Sequence, residues 1–291
     1  MPYRSVFRPG LFDGQVVIVT GGGSGIGRCT AHELIALGAK VALVGRRVEK
    51  LEKVAAEIAE ANGEAGCFPC DIRDEERVKA TVGEVLAHFG RIDGLVNNAG
   101  GQFAAPIAAI SQKGWDAVVR NNLTGGFLMA RECFLQWMQA HGGSIVNIVA
   151  DMWMGMPGMA HSGAARAGMV NFTETAAFEW SASNVRLNAV APGWIMSSGM
   201  DHYPPEMADH IRNLKNIAPL GRMGTESEVS AAIVFLLSEA AAYISGATLR
   251  IDGAVPNARP SFPVKGAGGR KPAPVYNGFH LAVTPKVLQD D

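Results

Sequence analysis

Apolar residues in this chain gather into short, almost unbroken runs, and between the runs they recur every three to four positions. The runs read QVVIVT to Thr20, KVALVG to Gly45, AGCFPC to Cys70, IDGLVN to Asn97, GSIVNIV to Val149, VRLNAV to Val190 and ATLRID to Asp252. A strand that is apolar on both alternating faces is covered on both, which is the condition of a parallel sheet. The stretches 28–37, 48–61, 75–89, 115–140, 164–181 and 226–237 carry the spacing of amphipathic helices. This alternation predicts a doubly wound parallel sheet, a three-layer α/β/α Rossmann fold forming one domain over residues 10–255.

Two segments leave that rhythm. SSGMDHYPPEM, within 196–218, follows a strand end, where open α/β folds bind ligands, and reads as a mobile lid or an ordinary long loop. Residues 256–291 are rich in Pro and Gly and lack an amphipathic period. They read as an extended tail, either packed on a neighbouring subunit or disordered.

Composition then excludes whole classes. With net charge −1 and 18% charged residues, there is no basic field for nucleic acid and no like-charged block for a membrane surface. No apolar run reaches the roughly 20 residues of a membrane-spanning helix. The start, MPYRSVFRPGLFDG, has no apolar run behind its charges and does not read as a secretory signal. Cys67 and Cys70 have CxxC spacing, but no second pair or nearby His follows. They read as strand residues, so no metal is expected and the thiols point to a reducing, cytoplasmic setting.

The first strand runs directly into TGGGSGIG, Thr20 to Gly27, and then a helix. Gly21, Gly25 and Gly27, with Ser24 and Ile26 between them, let a pyrophosphate approach the backbone at a helix N-terminus. After the second strand an acid would bind the ribose hydroxyls of NAD, whereas arginine accepts the 2′-phosphate of NADP. This chain has Gly45 there, followed by Arg46 and Arg47. NADP(H) is the expected cofactor; the bland alternative is two solvated arginines at a helix start, where positive charge opposes the dipole. Asp71-Ile72 and Asn97-Asn98-Ala99-Gly100 end the third and fourth strands of the same site.

Together with Asn122 in RNNLTGG, with GGSIVNI and with APG at 191–193, these pieces resemble the short-chain dehydrogenase/reductase family over about residues 10–255. The resemblance implies that Asp71 and Ile72 hold the adenine and that Asn98, Ala99 and Gly100 back the cofactor. It implies that Pro192, Gly193 and Ile195 line the nicotinamide. It also implies a homodimer or homotetramer, with the 115–140 helix at the interface.

The catalytic set of that family is Asn, Ser, Tyr and Lys, the tyrosine lying four residues before a lysine that lowers its pKa. Here PGMAHSGAARAGM places Ser162 at the tyrosine and Arg166 at the lysine, Val149 or Ala150 stands for the serine, and Asn122 alone survives. Realignment does not restore the motif: no tyrosine lies between Tyr3 and Tyr203, and no lysine between Lys113 and Lys215. A serine hydroxyl is far less acidic than a phenol, and arginine keeps its proton. Reduction of an activated C=C bond suits such a site, because a cation such as Arg166 can meet the negative charge gathering on an enolate oxygen.

HSGAARAG, HGGSIVNI and NNAGGQF resemble the peroxisomal trans-2-enoyl-CoA reductase branch, and the dienoyl-CoA reductases are similar in lacking the standard tyrosine motif. The resemblance implies an NADPH-dependent reductase of acyl-CoA thioesters. The chain ends LQDD without a peroxisomal signal, so a bacterial-type cytoplasmic location is expected.

Individual residues keep two readings each. Ser162 is a proton relay or a helix N-cap. His161 is a proton donor or a structural loop histidine, and Asp151 a substrate-facing or an exposed loop acid. Met152, Trp153, Met154, Met156 and Met159 form an adaptable acyl-chain wall or buried loop packing. Three functions compete: trans-2-enoyl-CoA reduction, oxidation of a branched or terpenoid alcohol or aldehyde, and non-catalytic nucleotide binding.

Overall fold

The computed structural model describes residues 3–258 and 272–289; the parts of the expected tail at 259–271 and 290–291 lie outside the described residues. Seven strands form one sheet: β1 (Val16–Thr20), β2 (Lys40–Gly45), β3 (Ala65–Pro69), β4 (Gly94–Asn97), β5 (Gly143–Ile148), β6 (Val185–Pro192) and β9 (Thr248–Ile251). Their order is β3-β2-β1-β4-β5-β6-β9, and every pairing is parallel. The order reverses between β1 and β4, so a crevice opens at their C-terminal ends, where doubly wound sheets bind ligands. Two residue pairs, β7 (Ile195–Met196) and β8 (Gly224–Thr225), make a separate small ribbon.

The unbroken apolar runs have the predicted cause. Val17 and Val19 of β1 face a core under α1 (Gly25–Ala36), α2 (Val48–Glu60) and α9 (Glu226–Leu237). Val16 and Ile18 face an opposite core under α3 (Glu75–Phe89). Each such side chain, fully buried, contributes about 1.5–3 kcal/mol. Local signals fix the helix ends. Asp74 caps α3 through Arg77 N–H, and Gly90 ends it at φ 78°. A Thr225/Glu228 capping box starts α9.

Two helix expectations need correction. The 115–140 helix begins at Gln112 and is not uniform. It runs α4 (Gln112–Val119), α5 (Gly125–Cys133) and α6 (Gln139–His141), joined by π turns at Arg120–Thr124 and Phe134–Met138. The helix expected from 164 is α7 (Ala160–Glu179), with Met159 at its N-cap. Ser162 therefore lies inside the first turn and is not a cap, and His161 is a buried helix residue and not a loop one.

The lid segment carries short 3₁₀ turns at Ser198–His202 and Pro205–Met207, followed by α8 (Ala208–Ile217). The described end of the tail packs on its own domain. Gly278 O accepts from Arg4 N at 2.9 Å. The Phe279 ring is 2% exposed, tilted on Tyr3 and His32, with the Arg28 guanidinium 5.0 Å from its centroid. Phe279→Ala opens a cavity there and is expected to cost about 3 kcal/mol in chemical denaturation. Unchanged stability would mean that the tail is not anchored. Among the described residues, no helix is long and apolar enough to cross a membrane.

Candidate active site

Gly21, at φ 66°, turns the chain off β1, and a Cβ on it would come within 2.8 Å of Asn98 Nδ2. A Cβ on Gly27 would meet Gly21 O at 2.5 Å. Only glycine fits either place, so the backbone is left bare toward the crevice. The turn is held from β4: Thr20 Oγ1 accepts from Asn98 N and Ala99 N, both at 2.9 Å, and Asn98 Nδ2 donates to Thr20 O at 2.9 Å. Helix α1 starts with Ser24 extended, no side-chain cap and no acid in its first turn, which leaves its N–H groups facing the crevice.

Four strand ends build one groove. Gly21 and Ser24 come from the β1 turn, Arg46 and Arg47 follow β2, Asp71 and Ile72 follow β3, and Asn98, Ala99 and Gly100 follow β4. Gly25 and Gly27 stand behind them in α1, while Ile26 packs against the core below. The Asp71 carboxylate is engaged by Arg73, Nε to Oδ1 at 2.8 Å, and those hydrogen bonds hold it down at about 2.

Sequence reading missed Lys50. It lines the same groove, its stem lies over Gly23, and burial followed by the Arg47 charge pushes its ammonium below the usual lysine range. Arg46, Arg47 and Lys50 thus place three cations at one end. The available signal was a lysine in the first turn of the helix that Arg47 caps.

Gly100, at the groove's edge, backs directly onto Asn122 and Arg166, two of the residues at the family's catalytic positions. Asn122 sits in the first π turn, a feature common at functional sites. Its amide clamps Gly101, Oδ1 accepting from N at 2.9 Å and Nδ2 donating to O at 3.0 Å. Arg166 Nη1 donates to Ile148 O at 2.6 Å, and Nη2 lies behind Gly100, 2.7 Å from where a Cβ would stand. No hydrogen bond from Nε is formed, and no carboxylate pairs with Arg166 among the described residues. Burial lowers the guanidinium to about 10, so it remains charged at neutral pH.

Ser162 Oγ donates to Gln102 Oε1 at 2.6 Å, and Gln102 Nε2 donates to the Tyr203 hydroxyl at 3.0 Å. Neither Gln102 nor Tyr203 stood out in the sequence, because they lie 60 and 41 positions from Ser162 and meet only in the fold. His161 Nδ1 accepts from Ser162 N at 2.8 Å, and Phe103 packs edge-on against its ring at 4.5 Å.

At the β6 end, Gly193 N donates to Ile251 O at 2.9 Å, and a Cβ there would strike Asp252 Cα at 2.8 Å. Pro192 closes β6, and Ile195 is buried in the small ribbon. Asp151 is half-buried rather than exposed, and burial followed by the Asp252 charge raises its carboxyl. Trp153 and Met154 are exposed, with the Arg250 guanidinium 5.5 Å above the Trp153 ring, so this stretch is not buried packing throughout.

Glu226 starts α9, and its Oε1 lies 3.8 Å from where a Cβ on Gly25 would be. Burial, partly offset by Arg28, pushes its carboxyl up to about 7. Folding raises this group above its unfolded value, so its stabilising effect is full below the unfolded pKa and is lost as pH rises through about 7. Glu226→Gln is expected to raise stability at pH ~8 by on the order of 2–3 kcal/mol and to do nearly nothing at pH ~4. Equal effects at both pH values would refute this.

Comparison with known proteins agrees with the architecture. The family model described as enoyl-(acyl carrier protein) reductase matches residues 21–255. A peroxisomal 2,4-dienoyl-CoA reductase of Danio rerio is 36% identical over 256 residues, 86% of this chain and 84% of that one. A D-threitol dehydrogenase of Mycolicibacterium smegmatis is 37% identical over 83% of this chain and 92% of its own. The structure of a citronellol catabolism dehydrogenase of Pseudomonas aeruginosa is 61% identical, covers 87% of this chain and 99% of its own, and superposes with a TM-score of 0.79. The chain is a nicotinamide-dependent oxidoreductase and belongs to the short-chain dehydrogenase/reductase family.

Proposed function

We propose that this chain is an NADP(H)-dependent reductase of the conjugated C=C bond of a trans-2-enoyl-CoA, working as a homodimer or homotetramer in the cytoplasm. The observation that carries it is Arg166: a half-buried, charged guanidinium without a carboxylate partner among the described residues, at the position where the family has lysine. A buried cation without a counter-ion is costly unless the site is built to receive negative charge. The four free thiols among the described residues fit a reducing compartment.

The groove residues fit the cofactor, since the bare turn at Gly21, Gly25 and Gly27 admits a pyrophosphate. Ser24, Asn98, Ala99 and Gly100 would line its path, Asp71 and Ile72 would flank the adenine, and Arg46, Arg47 and Lys50 would take the 2′-phosphate. Pro192, Gly193 and Ile195 would face the nicotinamide. The bound dinucleotide supplies a hydride. Arg166 would hold the nicotinamide ribose and stabilise charge on the thioester oxygen. Asn122 would keep Gly101 and the NNAG turn in place, and the Ser162 hydroxyl would hydrogen-bond substrate.

The test is NADPH oxidation against trans-2-enoyl-CoAs of graded chain length, with NADH as control. Turnover of several enoyl-CoAs with NADPH is expected; none across the series would refute the reading. The 61% identity to the citronellol catabolism dehydrogenase favours a second reading, oxidation of a branched terpenoid alcohol, and the same enzyme incubated with NADP⁺ and such alcohols tests it.

A further inference from the structure

On the proposed reaction, hydride addition leaves an enolate that needs a proton at its α-carbon. We infer that this proton comes from Tyr203, on the loop after β7, which supplies from the lid the phenol that α7 lacks. The inference rests on the reading of the reaction as C=C reduction.

Three contacts carry it. Gln102 lies two residues beyond Gly100, which lines the nucleotide groove, and its amide bridges Ser162 Oγ at 2.6 Å and the Tyr203 hydroxyl at 3.0 Å. The phenol oxygen is thereby held one side-chain amide away from Ser162, the residue that stands at the family's tyrosine position. Since the Gln102 amide N–H donates to that oxygen, the phenol hydrogen must point elsewhere. Its nearest partner there is Met159 Sδ at 3.9 Å, a weak acceptor. The hydrogen is thus free for a better acceptor.

The loop is anchored. The Tyr203 ring packs in a cluster with Met200, Met207 and Leu214, joined by Val287 and Leu288 from the tail. Val287 N donates to Asp201 Oδ1 at 3.3 Å, and Arg212 Nε donates to Val287 O at 3.0 Å. The chain end braces the element that carries the phenol.

Rival donors are placed worse. The Ser162 hydrogen is committed to Gln102, and a serine is a far weaker acid than a phenol. His161 Nε2 has no hydrogen-bond partner, but the residue is fully buried, with Nδ1 occupied and Phe103 against its ring. Burial and the Asp252 charge raise the Asp151 carboxyl, but among the described residues no hydrogen bond ties it to Gln102 or Ser162. In the proton step, the Tyr203 O–H bond breaks and a C–H bond forms at the α-carbon from the enolate electron pair. Water then returns a proton to the phenolate, and the reduced nicotinamide has already supplied the hydride.

Tyr203→Phe keeps the ring and its packing. In D₂O the wild type should place deuterium on one face of the α-carbon. Tyr203→Phe should lose about 10²-fold or more in kcat and label both faces, with KM and the binding of a non-reducible saturated acyl-CoA unchanged. Gln102→Leu, which removes the bridge but keeps the phenol, should lose less. A Tyr203→Phe enzyme with wild-type kcat and one-faced labelling overturns the assignment. If the wild type turns over a terpenoid alcohol and no enoyl-CoA, the substrate reading has failed. Tyr203→Phe is then measured on that alcohol, where the same acid/base role requires the same loss and an unchanged rate overturns it.

Discussion

Replacing Arg166 by methionine is expected to cut kcat/KM by about 10²–10³-fold while leaving the melting temperature unchanged or raised. The two effects have one cause. Methionine fills a similar volume with apolar atoms, so a half-buried charge without a carboxylate partner is removed together with its desolvation cost. The single hydrogen bond to Ile148 O at 2.6 Å is lost, which offsets part of that gain. On the proposed reaction the same charge faces an oxygen that becomes negative. Arg166→Lys, which restores the family's residue, should recover part of the rate, since an ammonium carries the charge without the planar fork. Steady-state kinetics and thermal melts on the same preparations check this. A methionine variant that is destabilised and equally active would show that Arg166 is a structural residue.

The sheet was legible because a strand buried on both faces leaves a run of apolar residues, and the glycine-rich turn was legible because backbone crowding admits no other residue at Gly21 and Gly27. The start of α7 was not. Met159 offers no capping side chain, whereas Ser162 followed by Gly163 imitates a cap, so periodicity placed the helix late. The π turn that carries Asn122 was not legible, because its extra residue shifts the hydrophobic phase by a single position, too little for periodicity to register. Asp71 was recognised, but its bidentate hold by Arg73, two residues on, is a matter of rotamers. Gln102, Ser162 and Tyr203 come from three different strand ends, and only the crossover order of the sheet brings them together. The tail's anchor is a single phenylalanine without a repeat, and hydrophobic patterning cannot detect one residue.

Cofactor choice should reverse with three substitutions after β2. Arg46→Ala with Arg47→Ala removes two of the three cations at the groove end, and a charge-assisted hydrogen bond to phosphate contributes about 1.5–3 kcal/mol. Both arginines are exposed in the free protein, so solvent screening reduces each contribution. The pair together is expected to raise KM for NADPH by roughly 10²-fold and to leave NADH nearly unchanged. Lys50, partly enclosed beneath Arg47, should retain a residual preference that its own alanine variant then abolishes. Adding Gly45→Asp supplies the acid that binds the ribose hydroxyls. The position accepts it, since Gly45 is not at positive φ and a Cβ there touches only Leu51 Cδ2 at 3.3 Å. The carboxylate would repel a 2′-phosphate and favour NADH, so the NADPH/NADH ratio of kcat/KM should fall below one. If Arg46 and Arg47 are merely solvated arginines at the start of α2, the double alanine variant will keep the wild-type ratio. It should then gain slightly in stability, because Arg47 at the N-cap no longer opposes the helix dipole.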